Sequence, residues 1–294
     1  MAFVESIPAV LRILAVFGVV LLSMRFRFSL GMALLLGSLL LGLMFGRNPA
    51  EIIQAAWQAL LDPKTLSLAA VVMLILVLSR SLESSGQMKR LLDNFAGLIV
   101  RPAVNLIVFP ALIGLLPMPG GAIFSAPMVK DLGKRHRMNG AQLSFTNYWF
   151  RHIWEYWWPL YPGVLLTVSI AGLNLWSFVL LLFPLTPVAV AAGMWPLKTA
   201  LNNGENGPVA DTGLATGSNL VLFLKELTPI GMVIGLGLGM GMVFSTAAPN
   251  FGIAKESGLI VALGLAIAWV WRKNRLEPAR IRKLVLSPKL ASMF

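Results

Sequence analysis

A succession of long apolar stretches, most of them near the length needed to cross a bilayer as a helix, constrains this chain more than any other feature. They run from Pro8 to Ser23, Phe28 to Gly46 and Leu66 to Leu78, and then, interrupted by prolines, from Phe95 to Val129. Four more run from Ala141 to Ala171, Leu175 to Met194, Pro229 to Phe244 and Gly258 to Trp271. Backbone inside hydrocarbon must satisfy its own hydrogen bonds, so helix is the expected form and the fold class is an all-α integral membrane bundle. Composition agrees: 57% of the 294 residues are hydrophobic and 12% are charged, against about 25% charged in a soluble domain. Cysteine is absent, which removes disulfides, thiolate chemistry and Cys-based metal sites. The two histidines, His136 and His152, are too few for a His-rich metal site, and no cofactor motif is present.

The formal charge of +12 would suggest nucleic acid on a soluble protein. Here most Lys and Arg fall in short clusters between the apolar runs, where they orient spans instead. The clusters Arg25/Arg27, Arg80/Lys89/Arg90 and Lys130/Lys134/Arg135/Arg137, with the tail Arg272 to Lys289, are all expected on the cytoplasmic side of the inner membrane. Glu5 precedes any base and Arg12 lies within the first run, so that run reads as a retained span and not as a cleaved signal. One assignment satisfies every cluster: the N-terminus outside, three alternating spans, and a stretch from Phe95 to Val129 that enters and leaves on the cytoplasmic face.

That stretch holds Pro102, Pro110, Pro117, Pro119, Gly120, Gly121 and Pro127, too many interruptions for one straight helix. A re-entrant helical hairpin at about 95–129 fits, its irregular tip tolerated where protein or water surrounds it. The alternative is two tilted, kinked spans joined by an outer turn at Pro117 to Gly121.

The two ends of the chain read alike. The first part gives span, span, short amphipathic piece and Asp62-Pro63-Lys64; the last gives span, span, basic piece and Ser287-Pro288-Lys289. Pro8 and Pro63 lie 55 positions apart, Pro229 and Pro288 lie 59 apart. The two units run in opposite senses under the charge topology, which predicts a partial inverted-topology repeat. On this reading residues 1–228 form a first transporter repeat and residues 229–294 an incomplete second one with a basic tail.

The strongest local signal is LPMPGGAIFSAPM, Leu116 to Met128. Pro117 and Pro119 remove donors, Gly120 and Gly121 admit close approach, and Ser125 adds a hydroxyl; together they suit an anion cradle at a helix start. A tight Gly–Pro turn is the plainer reading. Next comes NYWFRHIWEYWWPLYPG, Asn147 to Gly163, in which Asn147, Arg151 and Glu155 would form an i, i+4, i+8 stripe. An ionised residue at mid-bilayer costs on the order of 3 kcal/mol, so such residues face a cavity or a partner. Arg151 suits a carboxylate and Glu155 a coupling cation or proton, unless the two simply neutralise each other or lie near the cytoplasmic interface. His152 reads as a packed or interfacial histidine, and the Trp and Tyr around it as belt or packing residues, with a wall of a binding cavity as the alternative. Pro159 and Pro162 predict a kink or break. Gly231, Gly235 and Gly239, with Gly237 and Gly241, predict close helix contact. Asn202 to Gly213 reads as a polar, solvated loop, with a lid or docking loop as the alternative.

On LPMPGGAIFSAPMV and NYWFRHIWEYWWPLYPG the chain resembles an uncharacterised prokaryotic membrane family, domain of unknown function 401, along nearly all its length. That family is similar to the ion-transporter superfamily of gluconate, citrate and dicarboxylate permeases. The resemblance implies inverted repeats with re-entrant hairpins, a tip at Pro117 to Ser125, a following broken span over Asn147 to Pro159, and dimerisation through a scaffold. Family members are expected to run longer, with a second hairpin. The expected function is a permease-type carrier of a small carboxylate, coupled to Na+ or H+, embedded in membrane lipid and without enzymatic activity. The competing expectation is a non-transporting half-transporter that needs a complementing chain. An intramembrane enzyme built on Ser125, His152 and Glu155 is a third class that their spacing does not demand.

Overall fold

The computed structural model describes residues 8–96, 102–115, 121–202, 219–247 and 254–285. Helix is the only regular structure among them, without a strand. They fall into two compact units, residues 8–66 and residues 67–285.

The first unit holds α1 (Ala9–Arg25), α2 (Leu30–Met44), α3 (Pro49–Leu61) and the first turn of α4 (Pro63–Ser84). Each start is set by a cap. Ser29 accepts from the Met32 amide ahead of α2, and Asn48 and Glu51 form a capping box ahead of α3, with Pro49 at its first position. Gly46, at φ 77°, closes α2 in the left-handed conformation that suits glycine. Gly37 lets α1 approach α2: a β-carbon there would lie 2.6 Å from Val20. Arg12, the base inside the first apolar run, donates to the Met44 carbonyl at 3.1 Å and sits 5.0 Å over the Phe45 ring. It serves the carbonyl end of α2, which accounts for its place in an apolar sequence.

The second unit continues α4 and adds α5 (Gln87–Ala96), α6 (Pro102–Gly114), α7 (Gly121–Arg135), α8 (Gly140–Arg151), α9 (Pro162–Ile170), α10 (Leu175–Leu182), α11 (Leu185–Met194), α12 (Lys198–Asn202), α13 (Asn219–Ala247), α14 (Ala254–Lys273) and α15 (Pro278–Val285). Pro63–Ser84, Ser177–Leu197 and Leu220–Gly241 are long and apolar enough to cross a membrane. With the composition, they make this a membrane protein.

α13 and α14 pack as a pair, and glycine sets their approach, as the sequence predicts. The glycines that meet α14 are Gly237 and Gly241; Gly231, Gly235 and Gly239 face open space. α13 also begins ten residues earlier than the apolar run from Pro229 implies. Pro229 lies inside the helix and cannot donate to the Lys225 carbonyl four residues back. Lys273 of α14 donates to that carbonyl at 3.2 Å, so the orphaned acceptor is satisfied and the helix continues.

The same end carries a polar network. Glu226, almost buried, lies 3.4 Å from Arg90 and 3.1 Å from Lys273; Gln87 and Asn274 bond each other, and Arg90 donates to Asn274 at 2.6 Å. Trp271 donates to Ser81, and Arg280 to the Ser84 carbonyl. Two basic clusters far apart in sequence, around Arg90 and after Trp271, therefore lie at one end of this unit. A buried core forms where α6, α7, α8 and the segment 189–201 meet, around Leu106, Val129, Phe150, Ile153 and Leu197.

Candidate functional site

α6 and α7 are short, 13 and 15 residues, and pack against each other and against α8. At 1.5 Å per residue they measure about 20 and 22 Å, less than the hydrocarbon thickness of about 30 Å. The tip between them falls largely outside the described residues, and with it Pro117, Pro119 and Gly120. Gly121 is the first, buried residue of α7. Ser125 is fully buried on the next turn, its hydroxyl donating back to the Gly121 carbonyl at 3.3 Å.

The apolar run from Ala141 to Ala171 is a broken helix. α8 starts on a capping box of Asn139 and Gln142, stops at Arg151, and gives way to turns until Pro162 opens α9. Pro159 and Pro162 account for part of this, because neither can donate and each disfavours helix in the residue before it. The rest lies in side-chain bonding to the end of α6. The last carbonyls of a helix lack intrahelical donors. Here Trp154 donates to Ala111 at 2.7 Å, Tyr161 to Gly114 at 2.6 Å and Trp158 to Leu115 at 2.8 Å. Gly114 admits the crossing: a β-carbon on it would lie 1.9 Å from the Arg151 carbonyl oxygen.

The other indoles are also committed. Trp149 donates to Ala189 at 2.8 Å, against the bare Cα of Gly193, and Trp157 to Thr186 at 2.7 Å. These four indole N–H groups are thus bonded within the fold, a packing role. The signal missed was the donor chemistry: a Trp/Tyr cluster next to a helix break supplies N–H and O–H groups to orphaned carbonyls, which a belt does not need.

The stripe of Asn147, Arg151 and Glu155 is only half realised, because α8 ends at Arg151. Asn147 and Arg151 share a helix face, whereas Glu155 lies in the turn beyond, its side chain 46% exposed. Neutralisation of Arg151 by Glu155 is not observed. Glu155 instead faces His152, Oε1 to Nε2 3.5 Å. Arg151 reaches the same Nε2 through Nη2 at 3.3 Å, and its own Nε is buried without a partner among the described residues. The Asn147 carboxamide oxygen is likewise buried and unpartnered. His152 bonds the Tyr148 carbonyl through Nδ1 at 2.5 Å and packs on the Tyr148 ring. No hydrogen bond joins Ser125 to His152 among the described residues, and no group of three or more His, Cys, Asp or Glu there could hold a metal.

The end of α6, the break after α8 and the Arg151–His152–Glu155 group thus lie together. Chemically this is a guanidinium with an unused donor, partly desolvated and unmatched by any carboxylate among the described residues, beside a partly exposed imidazole. A family model described as protein of unknown function (DUF401) matches residues 8–247. No curated protein and no solved structure matches the chain.

Proposed function

The chain belongs to the DUF401 family, and we propose that it is a secondary carrier of a small organic anion, a carboxylate, coupled to a proton or cation. The observation that carries this reading is Arg151. Among the described residues it has no carboxylate partner; a partly buried guanidinium in that state is costly in a membrane, and it persists where a ligand supplies the missing charge. Arg also suits a carboxylate by geometry, since its planar fork offers paired donors. The position supports the same role: discontinuous helices in transporters present polar groups to solutes at irregular backbone.

The finer architecture belongs to the same proposal. α6 and α7 form a re-entrant hairpin, supported by their shortness, their mutual packing and the basic residues Lys89, Arg90, Lys130 and Lys134 that flank them. α1–α3 and α13–α15 act as units of an inverted repeat, supported by their common order of two apolar helices and one short amphipathic helix. The basic ends face the cytoplasm across the inner membrane.

Thermal unfolding in detergent against acetate, gluconate, succinate and citrate tests the anion site. At least one carboxylate is expected to raise Tm in the native chain and to leave Arg151→Gln unmoved. An equal rise in both removes Arg151 from the site.

A further inference from the structure

We propose that His152, and not Glu155, is the proton-binding residue, and that protonating its Nε2 strengthens anion binding at Arg151. The inference rests on the carrier reading above and supplies it with a coupling ion and a position.

The hydrogen bonds carry the case. A carbonyl oxygen only accepts, so the short contact between Nδ1 and the Tyr148 carbonyl requires the proton on Nδ1. In the neutral ring Nε2 is then a bare acceptor. It has two neighbours with opposite demands: Arg151 Nη2 at 3.3 Å, which can only donate, and Glu155 Oε1 at 3.5 Å, which as a carboxylate can only accept. Neutral His152 satisfies Arg151 and leaves Glu155 without a donor there. A proton taken from water onto Nε2 breaks the bond from Arg151 and forms one to Glu155. One atom therefore chooses between two partners, and the proton makes the choice.

Each state has a consequence for a solute. With His152 neutral, one Nη2 hydrogen of Arg151 is engaged internally. With His152 protonated, that hydrogen is released and a second positive charge stands beside the guanidinium. Both changes favour a carboxylate and disfavour an empty site. Binding is reciprocal, so the carboxylate in turn favours the proton. Anion and proton then load together, the requirement for symport.

Among the described residues the surroundings contribute little that competes. The groups facing this cluster are Arg151, Glu155, Tyr148 and Tyr161, with Tyr156 beyond, and Tyr161 is engaged with the Gly114 carbonyl. α6 and α11 carry no titratable side chain. α7 carries its charged residues, Lys130, Asp131, Lys134 and Arg135, only in its last two turns, and Asp131 pairs with Lys134 there. The His152 side chain is 23% exposed and is not sealed in the core.

Two readouts on the full chain in detergent or nanodiscs test this, one without any solute. The chain has two histidines, so ¹⁵N-histidine spectra give two ring systems, assigned through His136→Asn. Above neutrality His152 is expected as the Nδ1–H tautomer; an Nε2–H tautomer overturns the inference. For binding, acetate and gluconate serve as probes, because their single carboxyl stays ionised between about pH 5.5 and 8, the range in which a histidine changes charge. The native chain is expected to bind one of them roughly 5- to 100-fold more tightly at the lower pH, the ordinary size of a coupling between sites. His152→Gln is expected to bind with the same affinity at both. An undiminished pH dependence in His152→Gln overturns the inference and leaves the anion site standing. If neither probe, nor succinate or citrate, binds the native chain at either pH, the anion site fails and the coupling falls with it.

Discussion

Gly114→Ala is expected to destabilise the protein more than any other single methyl addition to α6, by about 3 kcal/mol, the upper end for overpacking a close contact. The added carbon would stand 1.9 Å from the Arg151 carbonyl oxygen, less than two-thirds of a normal contact, and the obstacle is backbone. Side chains move out of the way cheaply; this carbonyl cannot. It sits where α8 ends, and the neighbouring Gly114 and Leu115 carbonyls are tied to Tyr161 and Trp158. Relief means separating α6 from the break, which stretches those bonds as well. Each lost bond adds about 1 kcal/mol. Gly163→Ala is the matched control, because a β-carbon on Gly163 meets nothing within 4 Å. Thermal unfolding in one detergent should show a large drop in Tm for Gly114→Ala and a negligible one for Gly163→Ala. Equal Tm values for Gly114→Ala and the native chain would remove the crossing.

Arg151→Ala is expected to abolish anion uptake into proteoliposomes while leaving the chain folded. Its guanidinium makes one long contact, to His152, and its Nε makes none among the described residues, so truncation releases little folding energy. The transported anion, by contrast, loses the charge that offsets its desolvation. Hydrogen bonds to charged groups are worth about 1.5–3 kcal/mol each, so two donors lost from a carboxylate reduce affinity by more than 100-fold. Arg151→Lys retains charge without the planar fork and should recover part of the binding and little of the transport. Unchanged uptake by Arg151→Ala, with a native melting curve, takes Arg151 out of the mechanism.

Much of the architecture is legible in the sequence, for identifiable reasons. Apolar runs bounded by basic clusters give the helices, because a backbone in hydrocarbon has few other options. Two helix starts carry capping boxes, Asn48 with Glu51 and Asn139 with Gln142, which the apolar runs alone do not mark. The density of Pro and Gly between Pro102 and Pro127 foretells two short helices in place of one long one. The break after Asn147 is visible in Pro159 and Pro162, although its true start, at Arg151, is not. That start depends on Trp154, Trp158 and Tyr161 finding carbonyls some 43 to 47 residues away, a pairing no local pattern encodes.

Other features fail to show for the same reason. A proline normally ends a helix, so Pro229 reads as the start of a span; only Lys273, 48 residues from Lys225, reveals why the helix runs through it. The regular spacing of Gly231, Gly235 and Gly239 points to a packing face, yet Gly237 and Gly241 are the ones in contact, since helix rotation is fixed by the partner. At the site, residue type identified Arg151 and Glu155, and spacing suggested that they pair. The turn that follows α8 separates them and puts His152 between, so the residue read as packed or interfacial lies at the centre of the charges.

The absence of cysteine makes one measurement unusually clean. Lys89 on α5 and Lys134 at the end of α7 are both exposed and flank the two short helices. Single-cysteine replacements at these positions, in oriented inner-membrane vesicles, can be labelled with an impermeant maleimide. Both are expected to react from the cytoplasmic face, because α6 enters the bilayer and α7 returns. Labelling from opposite faces would mean that the chain crosses between them, leaving neither a re-entrant hairpin nor a solute site at its tip.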